Sequence, residues 1–255
     1  MSIYKDYARL YDRSGQLAFS LKMIPYLEDL LGRYSVAGKT LLELACGTGT
    51  IAVAFARQGW RVYAVDGSAE MLAQARAKVP EDAEWALFWS QQDMRSFVLP
   101  ERVHLATCLY DSLNYMLTAE DLLAVFRRVC KALRPGGYFF FDMNTAQAFE
   151  TMWNDDIYFV DSEDLSVILA SQYDRRQQRT AVTLTCFERV GELYRKIVER
   201  HTEQAYPEEE VATLLTDAGL AVRARYDCFT YWLATEDSTR IMWVAQRPTG
   251  PDYHS

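Results

Sequence analysis

The sequence is short of basic residues for a chain of its size. Its 255 residues include 27 lysines and arginines against 35 aspartates and glutamates, which gives a formal net charge of −8. A protein that follows a nucleic-acid backbone needs clustered positive charge. We therefore expect no nucleic-acid partner. Half of the residues are apolar, which is typical of a globular chain with a substantial core.

Paired cysteines and long apolar runs are also lacking. The five cysteines are scattered and form no C-x-x-C pair, so we predict neither a metal site nor a disulfide framework. Charged residues interrupt the first 30 positions, and no window approaches the ~18 uncharged apolar residues of a membrane-spanning helix. These absences predict a cytoplasmic protein with no membrane partner. The oligomeric state is not predicted from these features.

Between residues 39 and 144, short apolar runs alternate with helical patterns. Strands are predicted at 40–44, 61–65, 85–89, 103–109 and 138–141. Ser68 and Thr118 stand where helix N-caps are expected, and residues 134–137 (RPGG) form a predicted turn before the fifth strand. Because strands that alternate with helices pair in parallel, the fold class is α/β with a doubly wound, mostly parallel sheet.

The pattern changes after residue 145. Segments rich in β-branched and aromatic residues at 156–160, 166–173, 180–189 and 194–203 predict an antiparallel β insert after strand 5. A helix at 207–218 and strands near 220–226 and 240–246 then return to the main sheet. We divide the chain into a core, residues 1–145 and 206–247 with an N-terminal helical cap, and an insert, residues 146–205.

Two smaller segments bear on function. The connection over residues 174–179 carries three arginines, which fit a solvated hairpin tip better than an anion site. The tail from Pro248 is expected to be loose, and its His254 is assigned no role.

The strongest functional signal is a strand that runs into a glycine loop and then a helix, over residues 42–49 (LELACGTG). Glycine is needed there because the backbone must turn sharply and let a ligand approach. Asp66 ends the second strand 19 residues after Gly47, where a carboxylate reaches ribose hydroxyls in nucleotide-binding sheets. Since Gly47-x-Gly49-x-x-Ala52 also satisfies the dinucleotide fingerprint, a nicotinamide or flavin oxidoreductase remains an alternative.

Two further acids favour a different ligand. Glu43, just before the loop, would repel a pyrophosphate but attract a cationic amino-acid end. Asp93 follows the third strand beside Met94 and is placed to accept from an adenine amino group. With Asp66 and the segment 133–137, these residues resemble a class I S-adenosylmethionine-dependent methyltransferase over about residues 38–145.

The resemblance implies a Rossmann-like, seven-stranded methyltransferase fold with S-adenosyl-L-methionine as cofactor. It implies that Glu43 and the loop hold the methionine part, that Asp66 binds both ribose hydroxyls, and that Asp93 holds adenine. Ala45 departs from the pattern, because many members carry glycine there. The implied cofactor-binding residues are Tyr11, Glu43, Ala45, Cys46, Gly47, Gly49, Asp66, Gly67, Met71, Asp93, Met94 and Leu109.

The N-terminus carries Tyr4, Tyr7 and Tyr11 in a predicted helix. This pattern resembles glycine and amino-sugar N-methyltransferases, in which an N-terminal segment closes over the cofactor, and it implies that Tyr11 touches the cofactor's carboxylate. The alternative is that these tyrosines pack a helix on the domain.

Candidates for a general base are Asp111, Tyr115 and His201. Asp111 and Tyr115 follow the fourth strand, at the sheet edge where ligands bind in parallel sheets. His201 lies in a predicted strand of the insert, where the pattern favours an exposed histidine over a catalytic one. His104, at the start of strand four, is expected to be structural.

The function predicted from these residues is transfer of a methyl group to a nitrogen or oxygen of a small-molecule acceptor, with the insert as a lid or acceptor wall. Two other functions remain open at this stage. One is nucleotide-dependent oxidoreduction, and the other is a non-catalytic protein that binds S-adenosylmethionine. The two enzyme hypotheses differ in the cofactor that the glycine loop holds.

Overall fold

The computed structural model describes residues 4–154 and 156–250, which form two β-sheets with helices packed on the larger one. The larger sheet has seven strands in the order β10-β11-β5-β4-β1-β2-β3. Its strands are β1 (Thr40–Leu44), β2 (Arg61–Asp66), β3 (Leu87–Gln91), β4 (Val103–Cys108), β5 (Leu133–Asn144), β10 (Ala221–Asp227) and β11 (Arg240–Gln246). The first five strands pair in parallel, whereas β11 pairs antiparallel with β5 and with β10.

Helices cover both faces of this sheet. They are α1 (Leu17–Arg33), α2 (Thr50–Arg57), α3 (Ala69–Ala77), α4 (Ala119–Ala132), α5 (Ala146–Thr151) and α6 (Glu208–Asp217). One apolar cluster joins the sheet to α4 and α6, and a second joins it to α1, α2 and α3. The architecture is therefore the predicted doubly wound α/β fold. Within the described residues, no helix is both long and apolar enough to cross a membrane.

The helix starts follow from their capping residues. The Ser68 hydroxyl accepts a hydrogen bond from the Met71 amide, and the Thr118 hydroxyl accepts one from the Asp121 amide. Each cap pairs an N–H group that has no partner inside its helix. Both N-caps were predicted from the sequence.

The smaller sheet is antiparallel and has four strands in chain order: β6 (Ile157–Asp161), β7 (Leu165–Asp174), β8 (Arg179–Val190) and β9 (Leu193–Gln204). Because side chains alternate along a strand, one face of β9 buries Ile197, His201 and Glu203. That face packs on the N-terminal segment, residues 4–16, through an apolar cluster that includes Tyr7 and Leu10.

Several sequence-based expectations were wrong in detail. Residues 4–11 are turns rather than a helix, and a short 3₁₀ helix follows at Asp12–Ser14, so the predicted helix that carries Tyr4, Tyr7 and Tyr11 was wrong. The segment anchors to other elements through single hydrogen bonds, which helical periodicity cannot predict. Strand β3 begins at Leu87 rather than at residue 85. His254 lies outside the described residues.

Strand β5 also differs from the expectation. It begins at Leu133, and the predicted turn at 134–137 is an irregularity within the strand, where Gly136 has φ +82°. The Gly136 amide donates a hydrogen bond to the Arg247 carbonyl at 2.8 Å. The beginning of β5 is therefore held by the residue that follows β11. A long-range contact, not local propensity, thus decides where this strand starts.

Candidate active site

The glycine loop lies between the end of β1 and the start of α2. Ala45, Gly47 and Gly49 all have positive φ, at +52°, +53° and +70°. A Cβ on Gly49 would lie 2.4 Å from the Trp89 ring, so this position excludes a side chain on steric grounds as well. Ala45 adopts the left-handed conformation although it is not glycine. The alanine that stands where many family members have glycine therefore does not change the path of the loop.

Asp66 at the end of β2 holds this loop. One carboxylate oxygen accepts a hydrogen bond from the Gly47 amide at 2.8 Å, and the other accepts from the Ser68 amide at 2.8 Å. Burial raises the pKa of Asp66, while the backbone donors act in the opposite direction. The carboxylate therefore fixes the relative positions of the two loops that follow β1 and β2.

A cavity of about 660 Å³ opens beside these loops, and we call it the cofactor cavity. The three acids Glu43, Asp66 and Asp93 all line it. Eleven of the twelve residues implied by the family resemblance line it as well; they are Tyr11, Glu43, Ala45, Cys46, Gly47, Asp66, Gly67, Met71, Asp93, Met94 and Leu109. Gly49 does not line the cavity, because it packs beneath the loop against Trp89.

Glu43 is buried and incompletely paired. It is 4% exposed, and its Oε2 has no hydrogen-bond partner among the described residues. Burial and, secondarily, the charge of Asp66 raise the pKa of Glu43 to about 8. An unpaired carboxyl oxygen at a cavity wall is a group that a cationic ligand amine would satisfy. The residues present therefore fit the amino-acid end of S-adenosylmethionine.

Asp93 differs from the other two acids because it already has a partner. Its carboxylate forms an ion pair with Arg95 at 2.5 Å, and Arg95 also reaches Asp121 at 3.1 Å. The Arg95 contact lowers the pKa of Asp93. Asp93 is 45% exposed in its side chain. Arg95 was not predicted as a partner of Asp93, although it stands only two residues further along the sequence.

A second cavity of about 640 Å³ lies between the core and the smaller sheet, and we call it the acceptor cavity. Four tyrosines line both cavities: Tyr4, Tyr11, Tyr110 and Tyr115. We refer to these four residues as the tyrosine wall. Burial raises the pKa of all four phenols. They are therefore neutral, uncharged groups at the boundary between the cavities.

The three candidate bases lie together at the acceptor cavity. Asp111, Tyr115 and His201 all line it. The Tyr115 hydroxyl lies 3.0 Å from His201 Nδ1 and 2.8 Å from the Tyr4 hydroxyl. The expectation that His201 is exposed was wrong, since it is 5% exposed. Its ring lies on the inward face of β9 and contacts the Tyr4 ring at a centroid distance of 4.8 Å.

Asp111 is held in a polar network that the sequence did not reveal. It has φ +52° and is buried, and Asn144 Nδ2 donates to its Oδ2 at 2.8 Å. Glu203, 3% exposed on β9, lines the same cavity. Glu203 was missed because it stands in a charged strand segment next to His201. Because side chains alternate along a strand, Glu203 lies on the same face of β9 as His201, two residues after it in the sequence, and this spacing could have predicted its position.

The N-terminal segment is tied to both regions. Asp12 accepts a hydrogen bond from Thr48 of the glycine loop at 2.7 Å and pairs with Lys78 at 2.6 Å. At the other end, the Glu199 carboxylate on β9 accepts from the backbone amides of Tyr4, Asp6 and Tyr7, at 2.7, 3.0 and 3.0 Å. The segment thus forms a strap that closes one side of each cavity.

Two other groups have structural positions. The ring nitrogen Nδ1 of His104 lies 2.6 Å from the Thr40 hydroxyl, and its ring fills the space where a Cβ on Gly38 would lie. In the arginine-rich connection, Arg175 and Arg176 are exposed at a hairpin turn, as expected. Arg179 donates to the Leu117 carbonyl at 2.7 Å, so it joins the insert to the core.

These features define a class of protein. A glycine loop, an acid at the end of β2 and a cavity at the carboxyl ends of the parallel strands are the parts of a nucleoside-cofactor site in a doubly wound sheet. The Glu43 carboxyl oxygen without a partner adds a site for a cationic group. A pyrophosphate would not bind there, because a carboxylate repels it.

Comparison with known proteins agrees with this class. Residues 41–137 match the family described as a methyltransferase domain. YqeM of Bacillus subtilis (strain 168), which is named as a methyltransferase, is 28% identical over 96% of this chain and 97% of its own length. The dTDP-4-amino-2,3,4,6-tetradeoxy-D-glucose N,N-dimethyltransferase of Saccharopolyspora spinosa is 29% identical over 74% of this chain and 73% of its own.

Among solved structures, an S-adenosylmethionine-dependent methyltransferase from Clostridium acetobutylicum ATCC 824 has a TM-score of 0.85. It is 24% identical and aligns with 97% of this chain and 100% of its own, so it shows the fold. The matched domain, the relatives and the fold all resemble class I S-adenosylmethionine-dependent methyltransferases, and they support the enzyme class and the cofactor that the sequence resemblance predicted. These findings favour a methyltransferase over the oxidoreductase alternative.

Proposed function

We propose that this enzyme transfers a methyl group to a nitrogen of a small molecule bound in the acceptor cavity. The observation that carries the proposal is the pair of cavities separated by the tyrosine wall. One cavity offers the residues expected for the cofactor, and the other offers carboxyls, an imidazole and aromatic rings. An oxygen acceptor is the second candidate, because Tyr115 and His201 form a hydrogen-bonded pair that suits a hydroxyl.

We propose these roles in the cofactor cavity. Glu43 binds the amino group, Asp66 binds the two ribose hydroxyls, and Asp93 with Met94 borders adenine. Gly67 and Met71 pack on the adenine ring, and Tyr11 touches the carboxylate. The positions support this assignment because all of these residues line one cavity.

The chain's own contribution to the reaction is alignment and exclusion of water. When bound, S-adenosylmethionine supplies a methyl group already activated on a sulfonium. The tyrosine wall then fixes where an acceptor atom can approach, and such positioning is worth up to ~7–11 kcal/mol in favourable systems. The strap and the insert close the site from water. Both are lids in this proposal, and the Glu199 contacts join them.

An acceptor with an amino group is favoured by Asp111 and Glu203, the two buried carboxyls that line the acceptor cavity. The Saccharopolyspora spinosa relative is named for methylation of an amino sugar nucleotide. A small amine, including an amino sugar, is therefore the acceptor class that we propose. We also propose a cytoplasmic location, because a reducing compartment suits the buried cysteines Cys46, Cys108 and Cys186, which form no disulfide among the described residues.

The test combines cofactor binding with transfer. S-adenosylhomocysteine and NAD are titrated separately by calorimetry, and only the former is expected to saturate. The enzyme is then incubated with methyl-labelled S-adenosylmethionine and a panel of matched amines and alcohols, among them the amino sugar nucleotide of the Saccharopolyspora relative. Labelled product is expected with amines. Saturation by NAD alone, or label in neither amines nor alcohols, would contradict the proposal.

A further inference from the structure

Three buried carboxyls, two of which line the acceptor cavity, lie near one arginine. Asp111, Asp142 and Glu203 surround the single guanidinium of Arg240. Asp142 is fully buried, forms a short ion pair with Arg240, and accepts hydrogen bonds from the amides of Tyr110 at 2.7 Å and Asp111 at 3.1 Å. Arg240 and Asp142 therefore neutralise each other, and neither lines the cavity.

Asp111 and Glu203 remain, and both do line the cavity. The Asn144 side-chain amide connects them, since its Nδ2 lies 2.8 Å from Asp111 Oδ2 and 3.5 Å from Glu203 Oε2. Arg240 Nη1 is 3.4 Å from Asp111 Oδ1, a longer contact than its pairing with Asp142. We call these two residues the carboxyl pair.

Two buried carboxyls that contact the same amide group favour a state with one proton between them, because two negative charges at this place would repel each other. Burial raises the pKa of both groups, and their mutual contact lowers that of Asp111 while raising that of Glu203 further. Of the two groups, Glu203 is therefore the one that the neighbouring charge disposes to keep a shared proton. The other titratable groups that face the pair belong to the strap, the loop after β4, and β9; they are Tyr4, Tyr11, Tyr110, Tyr115 and His201. The phenols are neutral, so they leave the pair's negative charge uncompensated on the cavity side.

We propose that the carboxyl pair binds the ammonium group of the acceptor and takes up its proton before methyl transfer. An acceptor that enters as R–NH₃⁺ gives one proton to the pair. The pair then holds two protons and no charge, and R–NH₂ keeps the free electron pair needed to attack. Glu203 becomes a catalytic residue together with Asp111. This assignment rests on the proposed function, because it requires the acceptor to occupy this cavity.

The experiment measures binding without turnover. Enzyme saturated with S-adenosylhomocysteine is titrated by calorimetry with cyclohexylammonium chloride and with cyclohexanol, which have the same ring. At neutral pH the ammonium is expected to bind at least about tenfold more tightly. Its affinity is expected to fall as the pH is lowered and the pair takes its second proton, whereas that of the alcohol stays constant.

Single and double variants then distinguish a pair of carboxyls that shares one proton from two carboxylates that act independently. Glu203→Gln and Asp111→Asn each leave one carboxyl, so each is expected to lose only a few-fold in ammonium affinity. The double variant is expected to lose the whole preference of about tenfold and its pH dependence. Asp156→Asn is the matched control, because Asp156 lines the same cavity at its exposed side and lies outside the pair.

Each outcome bears on the inference. Equal binding of ammonium and alcohol by the native enzyme overturns it, and this result needs no variant to fold. Loss of the entire preference in Asp111→Asn, with none in Glu203→Gln, would show a lone carboxylate instead of a pair. Unchanged affinity for S-adenosylhomocysteine in all variants shows that they are folded. Failure of S-adenosylhomocysteine to bind the native enzyme would contradict the proposed function and not this assignment alone.

Discussion

The two cavities meet at the tyrosine wall, yet they are built in different ways. The cofactor cavity takes its three acids from the ends of adjacent strands β1, β2 and β3, within 51 consecutive residues from Glu43 to Asp93. The acceptor cavity combines the strap, the loop after β4 and the inner face of the insert, which span residues 4 to 203. The first is a product of a local strand–loop–helix pattern, and the second exists only when distant segments pack.

This difference affects how each site tolerates change. In the cofactor cavity, backbone amides hold the key carboxylate of Asp66 in place. In the acceptor cavity, side chains from different elements hold one another, as in the contact of Tyr115 with His201. We therefore expect variants near the loop to act on cofactor affinity alone, and variants at the strap to act on both cavities.

The largest effect should come from Asp66→Ala. The change removes two backbone contacts and the proposed partner of the ribose hydroxyls, so the affinity for S-adenosylhomocysteine should fall about 10- to 100-fold, or ~1.5–3 kcal/mol. Calorimetric titration measures it. Asp82→Ala, an exposed acid in the turn after α3, should retain native affinity. An unchanged dissociation constant for Asp66→Ala would mean that the ribose lies elsewhere.

Glu43 should produce a pH dependence of stability in the ligand-free enzyme. Its folded pKa of about 8 exceeds the ordinary value of 4.5, so the folded state binds more protons between these limits. Stability contributed by protonated Glu43 is therefore fully present below the lower value and is lost as the pH rises toward 8, with a slope of up to ~1.4 kcal/mol per pH unit.

Glu43→Gln should remove this contribution, because glutamine does not titrate. Urea unfolding of both proteins across this pH range gives the difference in slope. If the native enzyme and the variant lose stability in parallel, Glu43 is not protonated in the folded state. Saturation with S-adenosylhomocysteine should reduce the difference, since its amino group favours ionised Glu43.

The smallest effect should come from Glu199→Gln at the strap. The amide oxygen can still accept hydrogen bonds, but it loses the charge that strengthens three contacts with backbone amides. We expect the dissociation rate of S-adenosylhomocysteine to rise a few-fold in stopped-flow measurements, because the strap opens more readily. Glu192→Gln, exposed at the turn between β8 and β9, is the control. Identical rates in the two variants would show that the strap does not gate this cavity.

The comparison of the cavities also explains which residues could be predicted. Gly47, Asp66 and the N-caps Ser68 and Thr118 were predictable, because their roles depend on neighbours a few residues away. The parallel pairing of β1 to β5 was predictable from the alternation of strands and helices, whereas their order in the sheet was not predicted. The cofactor acids could be placed together, since the carboxyl ends of parallel strands meet at one edge of a sheet.

Other features depended on contacts that a sequence does not state. His201 was expected to be exposed because its neighbours in β9 are charged, but the strap covers that face of the strand. The strap itself was predicted as a helix, although its path is fixed by Asp12, Glu199 and other single contacts. The sequence places Glu203 on the same strand face as His201, but only the structure shows that Asn144 connects it to Asp111.

The sequence by itself determined the parallel sheet, the glycine loop and the acids that follow its strands, because periodicity and positive-φ glycines act over a few residues. Only the tertiary structure decided the acceptor cavity, the burial of His201 and the pairing of Asp111 with Glu203. The physical reason is desolvation: whether a carboxyl or an imidazole is paired, protonated or free depends on what excludes water from it. In this protein, the residues that surround these carboxyls and the imidazole come from segments separated by up to about 200 positions in the chain.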